Sequence, residues 1–266
     1  MSMQGFGGVL AVAQRELVER KQWMTREQFV ETLSVSQVLP GPNVVNMSLM
    51  IGDQHFGLRG AFVALAGMLL VPLVVVLALA ALYAQLASHP MVSSAELLSL
   101  FGHFLLLSLL AIGGAISTAP EMNRYLVADQ HWLTDAQFTT SVALAQAAPG
   151  PNLLFVAVLG WNVAGPLGAL ATMTGILLPS TALSLWATRW GQARRETRGV
   201  RAFTTGMAPL TIGLLLATGW IVAGPASGHV GAMVLVAVTV LAMMRTRLSP
   251  MWLVAIGAAA GAVGWA

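Results

Sequence analysis

Cysteine is absent from the chain, which excludes disulfides, thiolate metal sites and cysteine nucleophiles together and says nothing of compartment. Charge is nearly as scarce. Asp, Glu, Lys and Arg make up 9% of the 266 residues, against about 25% in an ordinary soluble domain, too few to cover a water-facing surface. The pI near 10.2 comes from a net charge of only +3, and no face rich in Lys or Arg interleaves with aromatics, so nucleic acid is not an expected partner. His, Glu and Asp nowhere cluster at metal-ligand spacing, no Ser, His and acid set suggests hydrolysis, and no nucleotide-binding motif is present. Neither an enzyme nor a cofactor is expected. The segment from Met1 to Val12 lacks a basic flank and leads into charged residues rather than a cleavage site, so no cleavable signal is read there.

What the chain does have is apolar surface, at 57% of its positions. Runs of roughly 20 residues recur at 61–83, 97–119, 163–187, 202–222, 230–244 and 251–265, several of them long enough to cross a bilayer. The expected fold is an all-α polytopic membrane protein, with the lipid bilayer as solvent for most of the chain.

Sliding the sequence on itself by 109 positions aligns Gln22 to Asn43 with His131 to Asn152, and nine of those 22 pairs are identical. They include Trp23 and Trp132, Thr25 and Thr134, Gln28 and Gln137, Gln37 and Gln146, and the block Pro40, Gly41, Pro42, Asn43 against Pro149, Gly150, Pro151, Asn152. Arg15 pairs with Arg124 at the same offset, and nearby offsets pair Gly7 and Gly8 with Gly113 and Gly114, and Pro72 with Pro179. Shared composition would not keep this register, so two homologous repeats are read, 1–90 and 94–266. In the second copy the order is an apolar span at 97–119, a polar loop at 120–135, a broken apolar segment at 136–162 and a further span at 163–188. If the broken segment crosses fully, three crossings per copy force the next copy to enter inverted. If it re-enters, the copies can be parallel. In the crossing arrangement nine arginines, Arg59, Arg124 and those from Arg189 to Arg247, fall on one side, against Arg15, Arg20, Lys21 and Arg26 on the other. The first side is then cytoplasmic.

The chemistry concentrates at the repeated Pro-Gly-Pro-Asn. Two prolines two residues apart each remove a donor and clash with the preceding turn, so a regular helix must break there. In hydrocarbon such a break is tolerated only where protein or a water-filled cavity meets the freed backbone groups. Paired breaks at matching positions of two repeats are a pointer to a transporter substrate site. The N–H groups following Pro42 and Pro151 open a half-helix whose positive end suits an anion. Neutral amides surround them: Gln37, Asn43 and Asn46 in the first copy, Gln146 and Asn152 in the second. The alternative is that Asn43 and Asn152 only cap the half-helices or hydrogen-bond between them. Arg15 and Arg124 are candidate cationic partners for the anion, or interfacial anchors that snorkel. His103 is a packed polar contact or a proton relay, Glu121 and Asp129 are solvated or titrating loop carboxylates, and the paired glycines allow close helix approach.

At these residues the sequence resembles the chromate ion transporter family. The matching elements are Gly5 to Gly8, Arg15 to Arg20 with Trp23, and Gln37 to Pro42, then Gly113 and Gly114, Pro120, Arg124, Trp132 to Thr134, and Gln146 to Pro151. The resemblance implies an inner-membrane carrier that moves chromate, in competition with sulfate, in the direction of efflux. The first copy is shortened at both ends relative to the second, so a homodimer or a second transporter subunit is a further expected partner. A non-transporting membrane assembly subunit is the competing reading.

Overall fold

The computed structural model describes residues 8–84, 93–148, 150–194, 196–203, 205–207, 209, 213 and 230–245. Among these every regular element is helical, the outcome required of a chain that must satisfy its own backbone inside lipid. The span expected at 251–265 lies outside the described residues, and that at 202–222 lies mostly outside them.

Helix α1 (Gly8–Gln14) continues into a π-helical turn, Arg15–Arg20, and α2 follows at Arg26–Val38. Thr25 starts α2 with a reciprocal cap: its hydroxyl accepts from the Gln28 N–H at 3.2 Å, and the Gln28 side chain accepts from the Thr25 N–H at 2.8 Å. Such a cap is worth about 1 kcal/mol. Leu39 to Pro42 are outside helix, and α3 runs Asn43–Ala84. The second half of the unit follows the same path. After α4 (Ser94–Leu110) come a 3-10 turn Ala115–Thr118, α5 (Ala119–Asn123) and a π-helical turn Arg124–Asp129. Then α6 (Asp135–Ala147), with the same cap from Thr134 and Gln137, leads to α7 (Leu154–Ala193).

Helices α3 and α7 are each two arms folded at a glycine. Gly57 (φ 64°, ψ −158°) interrupts α3 and Gly165 (φ 58°, ψ −142°) interrupts α7, both in the left-handed half of backbone space that side chains avoid. The arms then press together backbone to backbone. A Cβ on Gly52 would meet the Gly60 carbonyl and stand 2.9 Å from the Ala61 Cα, and a Cβ on Gly168 would collide with the Gly160 carbonyl. Across the second fold the Thr172 hydroxyl donates to the Val156 carbonyl at 3.0 Å. Each long arm, 58–84 and 166–193, has about 27 residues, roughly 40 Å at 1.5 Å per residue, enough to cross the hydrocarbon core. Their outward side chains, among them Phe62, Leu70 and Val74 on α3 and Leu167, Leu170 and Leu178 on α7, are exposed and apolar, as lipid contact demands.

The short arms behave differently. Helix α2 and arm 43–56 run antiparallel: Phe29 and Leu33 pack with Met47 and Ile51, and the Trp23 carbonyl meets the His55 imidazole at 3.2 Å. The chain thus returns to the end it left. Helix α6 and arm 154–163 do the same, with the Asn162 amide donating to the Ser141 hydroxyl at 2.7 Å. At 13 residues, α2 and α6 each span about 20 Å, short of a bilayer.

Three sequence expectations change. The run 97–119 is not one continuous helix, because the chain bends by 120° between Leu110 and Ala115, at Gly113 and Gly114. Residues 120–135 are not simply a loop, since Pro120 sits in the first turn of α5. The division of cations between sides also fails. The return of α2 and arm 43–56 puts Lys21 and Arg26 at the end that holds Arg59, and Asp53 ties Arg189 to that same end. Taken by itself, the second unit (Ala208–Ala266) contributes one described helix with printed bounds, α8 (Val230–Arg245), which coincides with the run at 230–244.

The folded arms predict a graded response to alanine. Gly165→Ala has open space around it and should cost about 1–2 kcal/mol from backbone conformation alone. Gly168→Ala should cost more, because only the Gly160 backbone can yield, whereas Gly67→Ala, on an open face of α3, should be neutral or slightly stabilising. Thermal unfolding of the three variants in detergent gives the order.

Candidate functional site

At the first break, α2 ends as Leu39 turns extended, its N–H still bonded to the Val35 carbonyl. The Gly41 N–H donates to the Ala111 carbonyl at 2.9 Å, which joins the break to the place where α4 stops. Gly41 lies directly against Ser180, near the centre of the long arm of α7, with no room for a Cβ. The Pro42 carbonyl accepts from the Asn46 N–H at 2.9 Å, so Pro42 stands at the N-cap, where its missing N–H costs nothing. Asn43 is therefore inside the first turn, not a cap, and its side chain rests beside Gly114. Asn46, fully buried, donates from Nδ2 to the Pro40 carbonyl at 3.1 Å. The Oδ1 atoms of Asn43 and Asn46 are buried and, among the described residues, have no hydrogen-bond partner. Gln37 is buried one turn before the break.

At the second break Pro149 lies outside the described residues. Gly150 packs on Pro72, near the centre of the long arm of α3, where an added Cβ would come within 2.6 Å of the proline ring. Pro151 is buried, Gln146 half-buried and Asn152 exposed. Helix α7 opens without a side-chain cap, through 3-10 bonds from Leu154 to the Pro151 carbonyl and from Val156 to the Leu153 carbonyl. Capping by Asn152 is thereby excluded.

Arg15 and Arg124 each begin a π-helical turn and are exposed. Arg124 pairs with Glu121, and among the described residues no hydrogen bond or ion pair joins either arginine to a break. His103 stacks on Tyr125 at 3.7 Å with the rings 8° from parallel, and the Tyr125 hydroxyl pairs with Ser99 at 2.9 Å.

Two features carry no local sequence signal that was read above. The Asp53 carboxylate, its side chain 3% exposed, takes a two-point contact from Arg189: NH2 to Oδ1 at 2.8 Å and Nε to Oδ2 at 3.2 Å. Beside it, a cavity of about 800 Å³ opens between Met24, Gln28 and Val35, Met50 and Gln54, and Thr188 and Gln192. Its walls come from Met24 and α2, the end of arm 43–56, the last turns of α7 and the segment after it, with Glu196, Val200 and Arg201. The folds themselves were legible in principle: Gly52, Gly57 and Gly60 recur as Gly160, Gly165 and Gly168, at an offset of 108.

Long lipid-facing arms around interrupted, inward-packed helix pairs define an α-helical membrane protein of the broken-helix kind. The chain belongs to the chromate transporter family, whose profile matches residues 1–96 and 98–262. This is a family of transporters, not of enzymes. The chain is similar to the chromate transport protein of Cupriavidus metallidurans, with 22% identity over 360 positions covering 98% of this chain and 90% of that one. With the chromate transport protein of Pseudomonas aeruginosa it shares 33% identity over 135 residues, 51% of this chain and only 32% of the relative's length. It also resembles the uncharacterized transporter YwrA of Bacillus subtilis, at 28% identity over 58% of this chain and 89% of that protein. No solved structure matches it.

The ion pair makes an unequal prediction. Arg189→Ala leaves the buried Asp53 carboxylate without compensation and should lower the unfolding temperature more than Asp53→Asn, which leaves a neutral amide beside an arginine that reaches water. Differential scanning of both variants in detergent reads the difference.

Proposed function

We propose that the chain is a secondary transporter of chromate or a related tetrahedral oxyanion, working as an efflux carrier in the inner membrane. The observation that carries this reading is reciprocal docking. The break at Gly41 rests on Ser180 and the break at Gly150 rests on Pro72, so each broken helix pair seats on the centre of the other half's long arm. Supporting contacts set Gly57 and Gly165 at opposite ends of α7, because Asp53 reaches Arg189 near its C-terminus while Gly165 lies near its N-terminal arm. Two inverted repeats, each with a re-entrant Pro-Gly-Pro hairpin, account for both facts. One long crossing in the first copy then suffices to invert the second.

Substrate would sit between the breaks, against Pro40, Gly41, Pro42 and Asn43 with Gln37, and against Pro149, Gly150, Pro151 and Asn152 with Gln146. The open N–H groups of the half-helices supply positive ends without a permanent charge in the membrane. Arg15 and Arg124 take the role of steering cations at the two mouths. The end holding Lys21, Arg26, Arg59 and Arg189 is cytoplasmic by its excess of cations. Gradients of substrate or a coupling ion supply the energy, and a second copy or a second transporter subunit is the partner to be sought.

Everted vesicles carrying the protein should take up chromate, with sulfate competing, and uptake equal to that of empty vesicles would refute the assignment. Asn43→Ala should insert normally and lose uptake about tenfold, the effect of one lost polar contact. Asn152→Ala, at an exposed position, should lose less. Because the chain has no native cysteine, single Arg20→Cys and Asp129→Cys variants test orientation cleanly. Labelling from opposite sides is expected, and labelling from one side overturns the inverted arrangement.

A further inference from the structure

The first break carries two buried side-chain oxygens that no donor meets among the described residues. Asn46 is completely buried, and its Nδ2 is committed to the Pro40 carbonyl, which fixes the amide in the break and leaves Oδ1 as an acceptor with no donor to meet it. Asn43, one turn earlier on the same face, adds a second buried oxygen without a partner. The helix that stops there, α2, ends in carbonyls that have no intrahelical donors, at the negative end of its dipole. An oxyanion is repelled by these oxygens and has to be met by the nitrogen donors of the break instead.

We propose that the first break holds a small monovalent cation of the sodium class, bound by Asn46 Oδ1, Asn43 Oδ1 and the terminal carbonyls of α2. Hard cations take oxygen ligands. With neutral ligands only, and no group of three or more His, Cys, Asp or Glu among the described residues placed to hold a metal, a single positive charge is what the site can carry. The break is thus bipolar: a cation at the end of α2, and the N–H groups of α3 free for an anion beside it. Each ion lowers the cost of burying the other, so their affinities must be coupled, and equally in both directions. The counterpart of Asn46 in the second half is Phe155, apolar and fully buried, so each chain carries one such site.

The coupling rests on the transport reading above, whereas the cation site does not, and the experiment separates them. The purified chain is unfolded by heat in sodium chloride and in choline chloride at equal ionic strength, without oxyanion. Wild type should gain about 3–8 °C in sodium, saturably. Asn46→Leu removes an unpartnered acceptor together with the donor to the Pro40 carbonyl, so it should unfold in choline somewhat below wild type, and it should show no sodium shift. Adding sulfate should lower the sodium midpoint for wild type only. Equal unfolding temperatures in the two salts, or an undiminished sodium shift in Asn46→Leu, would overturn the site and assign these oxygens to water. A sodium shift without chromate flux in vesicles would leave the cation site standing and fail the transport reading. Chromate flux without any sodium shift would do the reverse.

Discussion

The hydrogen bond from the Gly41 N–H to the Ala111 carbonyl answers one demand of apolar surroundings: backbone freed by proline has to be met by protein. To reach Ala111, α4 must stop at Leu110, and the chain must bend there rather than continue as a span. To keep the break inside, α2 and arm 43–56 must return together, which demands a tight reversal at Gly57 before the long arm can begin. The same sequence of requirements appears at Gly150, Pro72 and Gly165. Helix interruption, hairpin and long arm are therefore consequences of one unmet set of donors and acceptors.

Neutrality is the second theme. The buried groups nearest the breaks are amides, hydroxyls and backbone, while the described ion pairs, at Arg20, Arg124 and Arg189, stand away from them. Permanent charge at the breaks would cost heavily when no ion is bound. Dipole ends and amides pay no such penalty.

Much of the helical class was legible from composition alone, because a chain with 9% charged residues has few alternatives to lipid. The starts of α2 and α6 were legible too, since threonine followed by glutamine three residues on is a local signal that needs no tertiary help. The reversals at Gly57 and Gly165 were not seen, because hydropathy does not change sign where a turn is enclosed by other helices. The bend at Gly113 and Gly114 was hidden for the same reason, its glycines being read as a packing stripe. Asp53 and Arg189 are 136 positions apart, and nothing near either one announces the other. Assigning cations to sides failed because α2 and arm 43–56 fold back on each other instead of running on in one direction.

One small inequality between the halves has a long reach. Fifteen residues separate Pro42 from Gly57, and fourteen separate Pro151 from Gly165. A single residue on a helix turns every side chain by about 100°. The two short arms thus follow matching routes while offering different faces to their neighbours, which is how Asp53 and Trp161 can hold the same rank before the turn and keep unlike company. The two halves share a backbone path. The one-residue difference frees their side chains from that likeness, and leaves each half its own chemistry on a common frame.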